Sequence, residues 1–382
     1  FTSGDFSDTE TVPADGPPAD NCNIQLAFQE EASPFFSSVD LGEHGWDVFV
    51  DGNYAYVANN KSQSGFSIVD VSAPSTPSIV RQLDVNGKGK AVAKSGNYVY
   101  VAVDSDSKGL AVVNVSNPAS AVVVKTVNIG DEGNAVAVSG NYLYMGTDDD
   151  DDSFRVLSIS NPAVPSSVRT LDFDSEVQAI TVNGNYAYVG LDDDNRSFRV
   201  LDISNPANPQ SIASLDVGEE VNAIAISGFL AFVGTEKDDD DSLQVVNIQT
   251  PSNPVLVTSL DINGEIKDLS IDGDYLYAAL DKQNAGLAAI NISDPLNPSF
   301  SYTLDIQGKG TGIMAVSNLV FITINTNNRG LVIVGATVSG AATSGTYVSQ
   351  AFDTGSADTR YNFIAWDATE TAAGSVEFQF RT

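Results

Sequence analysis

Seven copies of one 44-residue unit constrain this chain more than any other feature. The apolar residue that opens an "LD"-type dipeptide recurs at Val39, Leu83, Val127, Leu171, Leu215, Leu260 and Leu304, at spacings of 44, 44, 44, 44, 45 and 44. Fourteen residues after each stands a turn position: Asn53, Asn97, Asn141, Asn185, Phe229, Asp274 and Asn318. A period of this length points to stacked supersecondary units rather than one irregular core.

Each unit holds four strand signals and no helical period. In the third copy, residues 134–139 form the first strand and a Ser-Gly-Asn turn follows. Residues 141–147 form the second, with tyrosines at period two. Residues 153–160 form the third. Asn-Pro then ends it, because proline fixes φ and offers no donor, and residues 166–173 form the fourth. Four strands per 40–45 residues is the pattern of a β-propeller blade. First strands are rich in small residues (AVAK, AVAV, AITV, AIAI), as expected where blades converge. Tyr54, Tyr98, Tyr142 and Tyr186 lie on second strands, where blades diverge and volume must be filled.

The seventh copy has strands near 312–317, 319–324 and 331–336 but no fourth. Residues 33–42 (SPFFSSVDLG) align with 253–262 (NPVLVTSLDI) if one residue is gapped, so residues 34–41 are expected to supply the missing outer strand and close the ring. The fold class is therefore all-β: a seven-bladed propeller over 34–338, a 1–33 arm with a spare strand, and a 339–382 linker with a partial sandwich-like module.

The segments NGNYAYV (183–189), GLVIV (330–334), FRVLDISNPANP (198–209) and SIVDVSAP (67–74) resemble the LVIVD-repeat family of β-propellers, over about residues 34–338. The resemblance implies a secreted or cell-surface protein of bacteria or archaea. It implies no shared catalytic residues, and function must come from a site rather than a fold.

Charge sets the partners. With 50 acids against 18 bases the net charge is −32, which disfavours nucleic acid and anionic membranes and favours cations or basic partners. No stretch reaches the roughly 18 apolar residues of a membrane span. Antiparallel strand order puts the loops between second and third strands on one face, together with the loops that enter each blade. The first set holds Asp104, Asp106, Asp148 to Asp152, Asp192 to Asp194, Glu236, Asp238 to Asp241 and Asp281; the second holds Glu43, Asp131, Glu132, Asp174, Glu176, Glu219, Glu220 and Glu265. The opposite face is expected to be close to neutral.

Clustered carboxylates suit Ca²⁺, which takes six to eight oxygens. Asp104, Asp106, Asp148, Asp150, Asp152, Asp192, Asp194, Asp238 and Asp240 are the candidate ligands. No cofactor is required, and no run matches a known ligand spacing. Solvated loops that blunt edge pairing and adaptation to saline surroundings are the competing explanations. His44 is the single histidine, beside Glu43 and Asp47; with one base a nucleophilic triad has little choice of parts. Cys22 is the single cysteine, so no internal disulfide forms. Sequons stand at Asn60, Asn114, Asn195 and Asn291. The chain opens at Phe1 without an initiator methionine, as expected if a leader was removed or the sequence trimmed.

The ends suggest assembly. Residues 22–29 form an apolar alternating strand, and residues 346–356, 361–369 and 374–382 form three strand-like pieces of an incomplete module. Exposed strand edges template other strands. Head-to-tail exchange would use Ile24, Leu26 and Phe28 at one end and Tyr347, Phe352, Trp366, Phe378 and Phe380 at the other, and would not close. Pairing of the two ends within one chain is the competitor. The reading is an extracellular, non-enzymatic structural or adhesive propeller, with self-association and a surface ligand such as carbohydrate as its partners. A lactonase-like propeller hydrolase with a cation at the channel mouth is the alternative.

Overall fold

The computed structural model describes residues 25–28, 345–348 and 36–335, the last without 106, 150, 194–195, 237–240 and 327. The chain divides into two units, one of residues 35–336 and one of both terminal segments.

The larger unit is seven four-stranded antiparallel sheets. In blade 3 the order outward from the axis is Gly133–Ser139, Tyr142–Thr147, Phe154–Ser158 and Ser166–Leu171. Inner strands of successive blades contact one another around the axis. The third strand stops two residues short of the sequence expectation. Ile159 N turns back to donate to Asn141 O (2.8 Å), which starts the turn early.

The core lies between blades. Tyr56, Tyr100, Tyr144, Tyr188, Phe232, Tyr277 and Phe321 occupy one column of the second strands and are buried. In blades 1, 3 and 4 they meet a phenylalanine of the third strand, with ring centroids 6.0–6.3 Å apart. The "LD" aspartate of each repeat has a local task. Asp40, Asp84, Asn128, Asp172, Asp216, Asp261 and Asp305 each accept the backbone N–H two residues on, at 2.6–2.8 Å. These Asx turns end the outer strand and aim the chain at the next inner strand.

Inner hairpins turn at Gly52, Gly96, Gly140, Gly184, Gly228 and Gly273, with φ of 53–59°. A Cβ there would meet nothing within 4 Å, so backbone conformation and not space requires glycine. Blade 7 makes this turn with Ser317 (φ 56°) and Asn318 (φ 61°).

Ring closure follows the expectation. Phe36–Val39 pairs antiparallel with Leu331–Gly335, as the outer strand of blade 7. The one-residue gap in the alignment has a physical identity. Outer strands of blades 1 to 6 each carry a bulge: in blade 5 the register jumps from Thr258↔Val245 to Leu256↔Val246, leaving Val257 unpaired. The closing strand pairs Phe36, Ser37, Ser38 and Val39 in unbroken register. The missing residue is the bulge.

In the terminal unit, Gln25–Phe28 pairs antiparallel with Gly345–Val348, matching Leu26 with Tyr347. The strand outside the repeat scheme thus pairs within its own chain, the competitor to head-to-tail exchange. Ile24, Phe352, Trp366, Phe378 and Phe380 lie outside the described residues.

Candidate functional site at the channel mouth

Each blade places two residues at the mouth of the axial channel: one entering the inner strand, one leaving the second strand. The pairs are His44/Asn60, Lys88/Asp104, Glu132/Asp148, Glu176/Asp192, Glu220/Glu236, Glu265/Asp281 and Lys309/Asn325. Backbone bonds hold them face to face: Asn60 N to His44 O (2.9 Å), Asp192 N to Glu176 O (3.1 Å), Glu236 N to Glu220 O (3.3 Å), Asp281 N to Glu265 O (3.0 Å) and Asn325 N to Lys309 O (2.9 Å). The ring is acidic over blades 3 to 6 and mixed over blades 7, 1 and 2.

Below it a cavity of about 570 Å³ is lined by the inner strands of all seven blades. Its upper tier is Trp46, Lys90, Asn134, Gln178, Asn222, Lys267 and Thr311. The Trp46 side of the mouth is apolar and open, at 43% exposure. The lysines are engaged: Lys90 with Glu132 (3.1 Å) and Asn134 (2.8 Å), Lys88 with Asp104 (3.1 Å), Lys309 with Asp281 (2.7 Å), and Lys267 with Glu265. Burial would raise the Asp104 carboxyl, but Lys88 and Lys90 hold it below its ordinary value.

Blades 3 to 5 differ. Burial, Asp131 and Glu132 push the Asp148 carboxyl up to about 7. A hydrogen bond to Glu236, burial and the neighbouring Asp192 push Glu220 up to about 8. These carboxyls crowd one another, and among the described residues none of Asp148, Asp192, Glu220 and Glu236 has a lysine or arginine within 4 Å.

Deeper still stand two aspartates, Asp47, which the sequence named only as a neighbour of His44, and Asp268, which it did not single out. Asp47 Oδ1 accepts from Val48 N (2.7 Å) and Oδ2 from Val92 N (2.8 Å) of the next blade. Asp268 does the same with Leu269 N (2.8 Å) and Ile313 N (2.7 Å). Each ties its blade to the following one while facing the cavity. Burial pushes Asp47 up to about 6; burial and the Asp47 charge push Asp268 up to about 8. A signal was present in the repeat: the column reads Asp47, Ala91, Ala135, Ala179, Ala223, Asp268, Gly312. Gly312 sits between the two aspartates because a Cβ would fall 2.6 Å from Asp47 Cα.

The acidic runs now resolve into parts. Asp104, Asp148 and Asp192 belong to the mouth. Asp152 is exposed and lies 3.6 Å from Arg155, whose side chain is mostly buried beneath the run. Arg199, under the next run, donates to Phe173 O (3.1 Å) and lies over its ring at 4.7 Å. The described Asp152 and Asp193 thus each have a mostly buried guanidinium group as an electrostatic neighbour, Arg155 and Arg199. Asp106, Asp150, Asp194, Asp238 and Asp240 lie outside the described residues. Among the described residues no three carboxylates, histidines or cysteines converge as a metal cage. The turn face is less neutral than expected, with Asp51, Asp70, Asp202, Asp272 and Asp274 against Lys94, which bonds Asp51 at 2.5 Å. Two sequon side chains are engaged: Asn114 and Asn291 accept from Ser116 N and Ser293 N (2.9 Å each).

The raised carboxyls give a signed pH dependence. A carboxyl whose folded pKa lies above its unfolded value burdens the native state once it ionises, so stability falls as pH rises through that window. For Asp47, Asp148, Asp268 and Glu220 the windows run from about 4 up to about 6, 7, 8 and 8. The melting temperature is expected to be higher near pH 5.5 than near pH 8.5. Glu220→Gln should raise the value at the alkaline end and flatten the slope, as thermal melts across pH would show. A parent protein most stable at pH 8.5 would refute this electrostatic account.

Six LVIVD repeats match the chain, at residues 42–85, 86–129, 132–172, 175–217, 218–262 and 263–305. No curated protein matches it in sequence. Among solved structures it is similar to the WD40 repeats of RRP9 (TM-score 0.60, 13% identity, covering 82% of this chain and 99% of that one). It is also similar to the Cps50 (Swd1) β-propeller domain of Myceliophteria thermophila (TM-score 0.61, 12% identity, 83% and 100%) and to the computationally designed protein Ika8 (TM-score 0.57, 14% identity, 78% and 98%). Identities this low speak for the shared propeller fold alone. With repeats matched over more than half its length and a seventh blade closed by its own N-terminal strand, the chain belongs to the LVIVD-repeat family.

Proposed function

We propose that this chain is an extracellular, non-enzymatic propeller with a structural or adhesive role, and that its channel mouth docks a cationic group of a surface partner. One observation carries the reading: over blades 3 to 5 the mouth gathers Asp148, Asp192, Glu220 and Glu236 with no described ion-pair partner, while the lysines nearby are committed elsewhere. Crowded carboxylates that share protons gain when a cation takes the proton's place. An ammonium or guanidinium group suits an open mouth better than a caged metal does. Ca²⁺ acts here as a competing counter-ion. The hydrolase alternative needs a cation held at the mouth, for which the described side chains offer no convergent set.

The test is binding of a short oligolysine peptide, followed by calorimetry at low and at physiological salt. The Asp192→Asn, Glu220→Gln, Glu236→Gln variant removes three carboxyls from one arc. It should weaken binding at least about tenfold, or roughly 1.4 kcal/mol, and Ca²⁺ should compete with the peptide more effectively than NaCl of equal ionic strength. Equal affinity in the parent and the variant would sink the reading.

Strand exchange between termini remains the proposed assembly mode. The complementarity of Gln25–Phe28 and Gly345–Val348 supports it, since the same antiparallel pair made between copies would link them. Within one chain the pair is already satisfied, so exchange requires it to open. Fibres rather than single particles in negative-stain images of the purified protein are the outcome that distinguishes exchange from closure.

A further inference from the structure

The two aspartates in the channel show how this scaffold seats a carboxylate. Asp47 bridges two inner strands, with one oxygen on Val48 N (2.7 Å) and the other on Val92 N (2.8 Å) of the next blade. Asp268 bridges Leu269 N (2.8 Å) and Ile313 N (2.7 Å) in the same way. Along each inner strand, alternate residues bond the second strand, and those between turn their N–H groups out from the sheet edge. Val48 opposite Val57 and Leu269 opposite Ala278 are of the second kind. So are Val136, Ile180 and Ile224, opposite Met145, Val189 and Val233 in blades 3, 4 and 5.

These last three amides have no such carboxylate. Where Asp47 and Asp268 stand in their blades, blades 3 to 5 carry Ala135, Ala179 and Ala223, whose side chains accept nothing. Among the described residues no other side chain takes over as acceptor. An outward N–H in a channel is then left to water or to a ligand. The cavity has the matching shape. Its wall includes Val136, Ile180 and Ile224 and leaves out their counterparts Val48, Val92, Leu269 and Ile313, which lie behind the aspartates. It therefore runs one level deeper under blades 3 to 5, where the donors are open. Ile180 and Ile224 form the firmer pair, because Thr181 Oγ1 donates to Ile224 O (2.6 Å) and clamps the two strands.

We infer that the channel seats the terminal carboxylate of a peptide on Ile180 N and Ile224 N, as Asp47 and Asp268 seat their own, and that the peptide ends in lysine or arginine. Capture of a C-terminal carboxylate by backbone N–H groups is a recurring mode of peptide recognition. The basic side chain is required by charge, and this part of the inference rests on the cationic reading of the mouth. A lone anion is repelled by a protein of net charge −32. A carboxylate that travels with a cation is not, because Asp148 and Glu176 line the same cavity and receive the cation. Lys90 and Lys267 stand on the blades that flank the arc, above the open amides, and offset part of the negative field. Length selects the residue. Glu176 and Ile180 are four positions apart, roughly 13 Å along an ideal strand. The α-ammonium of a free amino acid sits too close to its own carboxylate to reach across, whereas a C-terminal lysine or arginine side chain extended toward Glu176 covers most of the gap.

Calorimetry of the full chain with three acetylated tripeptides tests it: Gly-Gly-Lys as the free acid, Gly-Gly-Lys as the C-terminal amide, and Gly-Gly-norleucine as the free acid. The parent is expected to bind the lysine acid at least about tenfold more tightly than either of the others. Ala179→Asp places a carboxylate of the chain's own over the Ile180 and Ile224 pair, and Ala179→Asn fills the same place without added charge. Each should bring the lysine acid down to the affinity of its amide, with melting curves showing an intact fold. The Asp192→Asn, Glu220→Gln, Glu236→Gln variant should instead weaken both lysine peptides alike. Equal binding of lysine acid and lysine amide to the parent would overturn the carboxylate seat and leave the cationic reading of the mouth standing. Equal binding of the lysine and norleucine acids would overturn the two-charge ligand through the failure of that reading. A preference for the acid that survives in both Ala179 variants would overturn the inference. So would the absence of binding by any of the three at about 1 mM, with oligolysine binding then showing whether the mouth reading falls too.

Discussion

Removing residues 1–41 is expected to lower the melting temperature by at least about 10 °C and to leave an aggregating protein, whereas removing residues 1–33 should leave the propeller's own stability near that of the parent. The first truncation takes away the strand Phe36–Val39 and with it Leu41, which is 1% exposed and packs against Gly330. Burial of a leucine like this one is worth about 2–5 kcal/mol. Leu331 and Ile333, fully buried in the intact ring, would lie on a strand with an open edge. Two ties to blade 1 would also go: Gln82 Nε2 to Leu41 O (2.9 Å) and Ser37 Oγ to Pro74 O. At about 2 °C per kcal/mol for a protein of this size, losses of 5 kcal/mol or more reach the stated shift. Scanning calorimetry of the two truncations decides it. If the 1–41 deletion melts with the parent, the closing strand is not what holds the ring.

A second large effect is expected at the seams between blades, which come in two kinds. Between blades 1 and 2, glycine faces glycine: a Cβ on Gly89 would run into Gly65 O and lie 3.1 Å from Ala58 Cβ. The seams at Gly109/Gly133, Gly286/Gly310 and Gly330/Gly45 are built alike. From blade 3 to blade 6 the sizes are exchanged. Ser153, Ser197 and Ser242 replace the first glycine, Val177, Val221 and Ile266 replace the second, and the space comes from Gly146, Gly190 and Gly234 on the second strands. A Cβ on Gly146 would lie 2.5 Å from Val177 Cγ1. Gly89→Val therefore imports the side chain of one seam into the other, without the matching space. It should cost about 3 kcal/mol, at the upper end of overpacking penalties. Ala58→Gly should recover part of this, giving a coupling of about 1 kcal/mol in a double-mutant cycle of chemical denaturation. Additive losses, or a Gly89→Val protein as stable as the parent, would show that the seams tolerate either filling.

Much of this architecture was legible before any coordinates. The repeat fixed the blade count because each copy spans one whole sheet, and period-two tyrosines marked strands that pack on both sides. The closing strand was legible because blade 7 lacked a fourth strand and residues 33–42 carried its pattern. The bulge could be seen only as a gap, since nothing in a sequence distinguishes an unpaired Val257 from a paired one. The site was harder. Runs such as Asp148 to Asp152 drew attention by composition, but composition does not say that it is Asp148 and Asp192, the first residues of their runs, that stand at the mouth. Asp47 drew notice only as a neighbour of His44, and Asp268 drew none; what singles both out is the ring position that alanine or glycine fills in the other blades. The pairing of Gln25–Phe28 with Gly345–Val348 joins segments more than 300 residues apart, and complementarity of two short strands does not by itself say whether one molecule or two supply them.

The uneven ring at the mouth has a consequence for how anything arrives there. A seven-bladed scaffold with identical blades would present seven equivalent azimuths to an approaching molecule, and docking would be degenerate in rotation. Here Glu132/Asp148 through Glu265/Asp281 make one arc anionic, while His44/Asn60, Lys88/Asp104 and Lys309/Asn325 leave the remainder mixed. The charge distribution therefore has a lateral dipole across the face in addition to its axial one. A field of that shape exerts a torque on a basic visitor before contact, over distances of about one Debye length, roughly 8 Å at physiological salt. The pseudo-sevenfold axis thereby acquires a compass bearing, so that a basic partner of the kind proposed would reach the channel already turned toward blades 3 to 6.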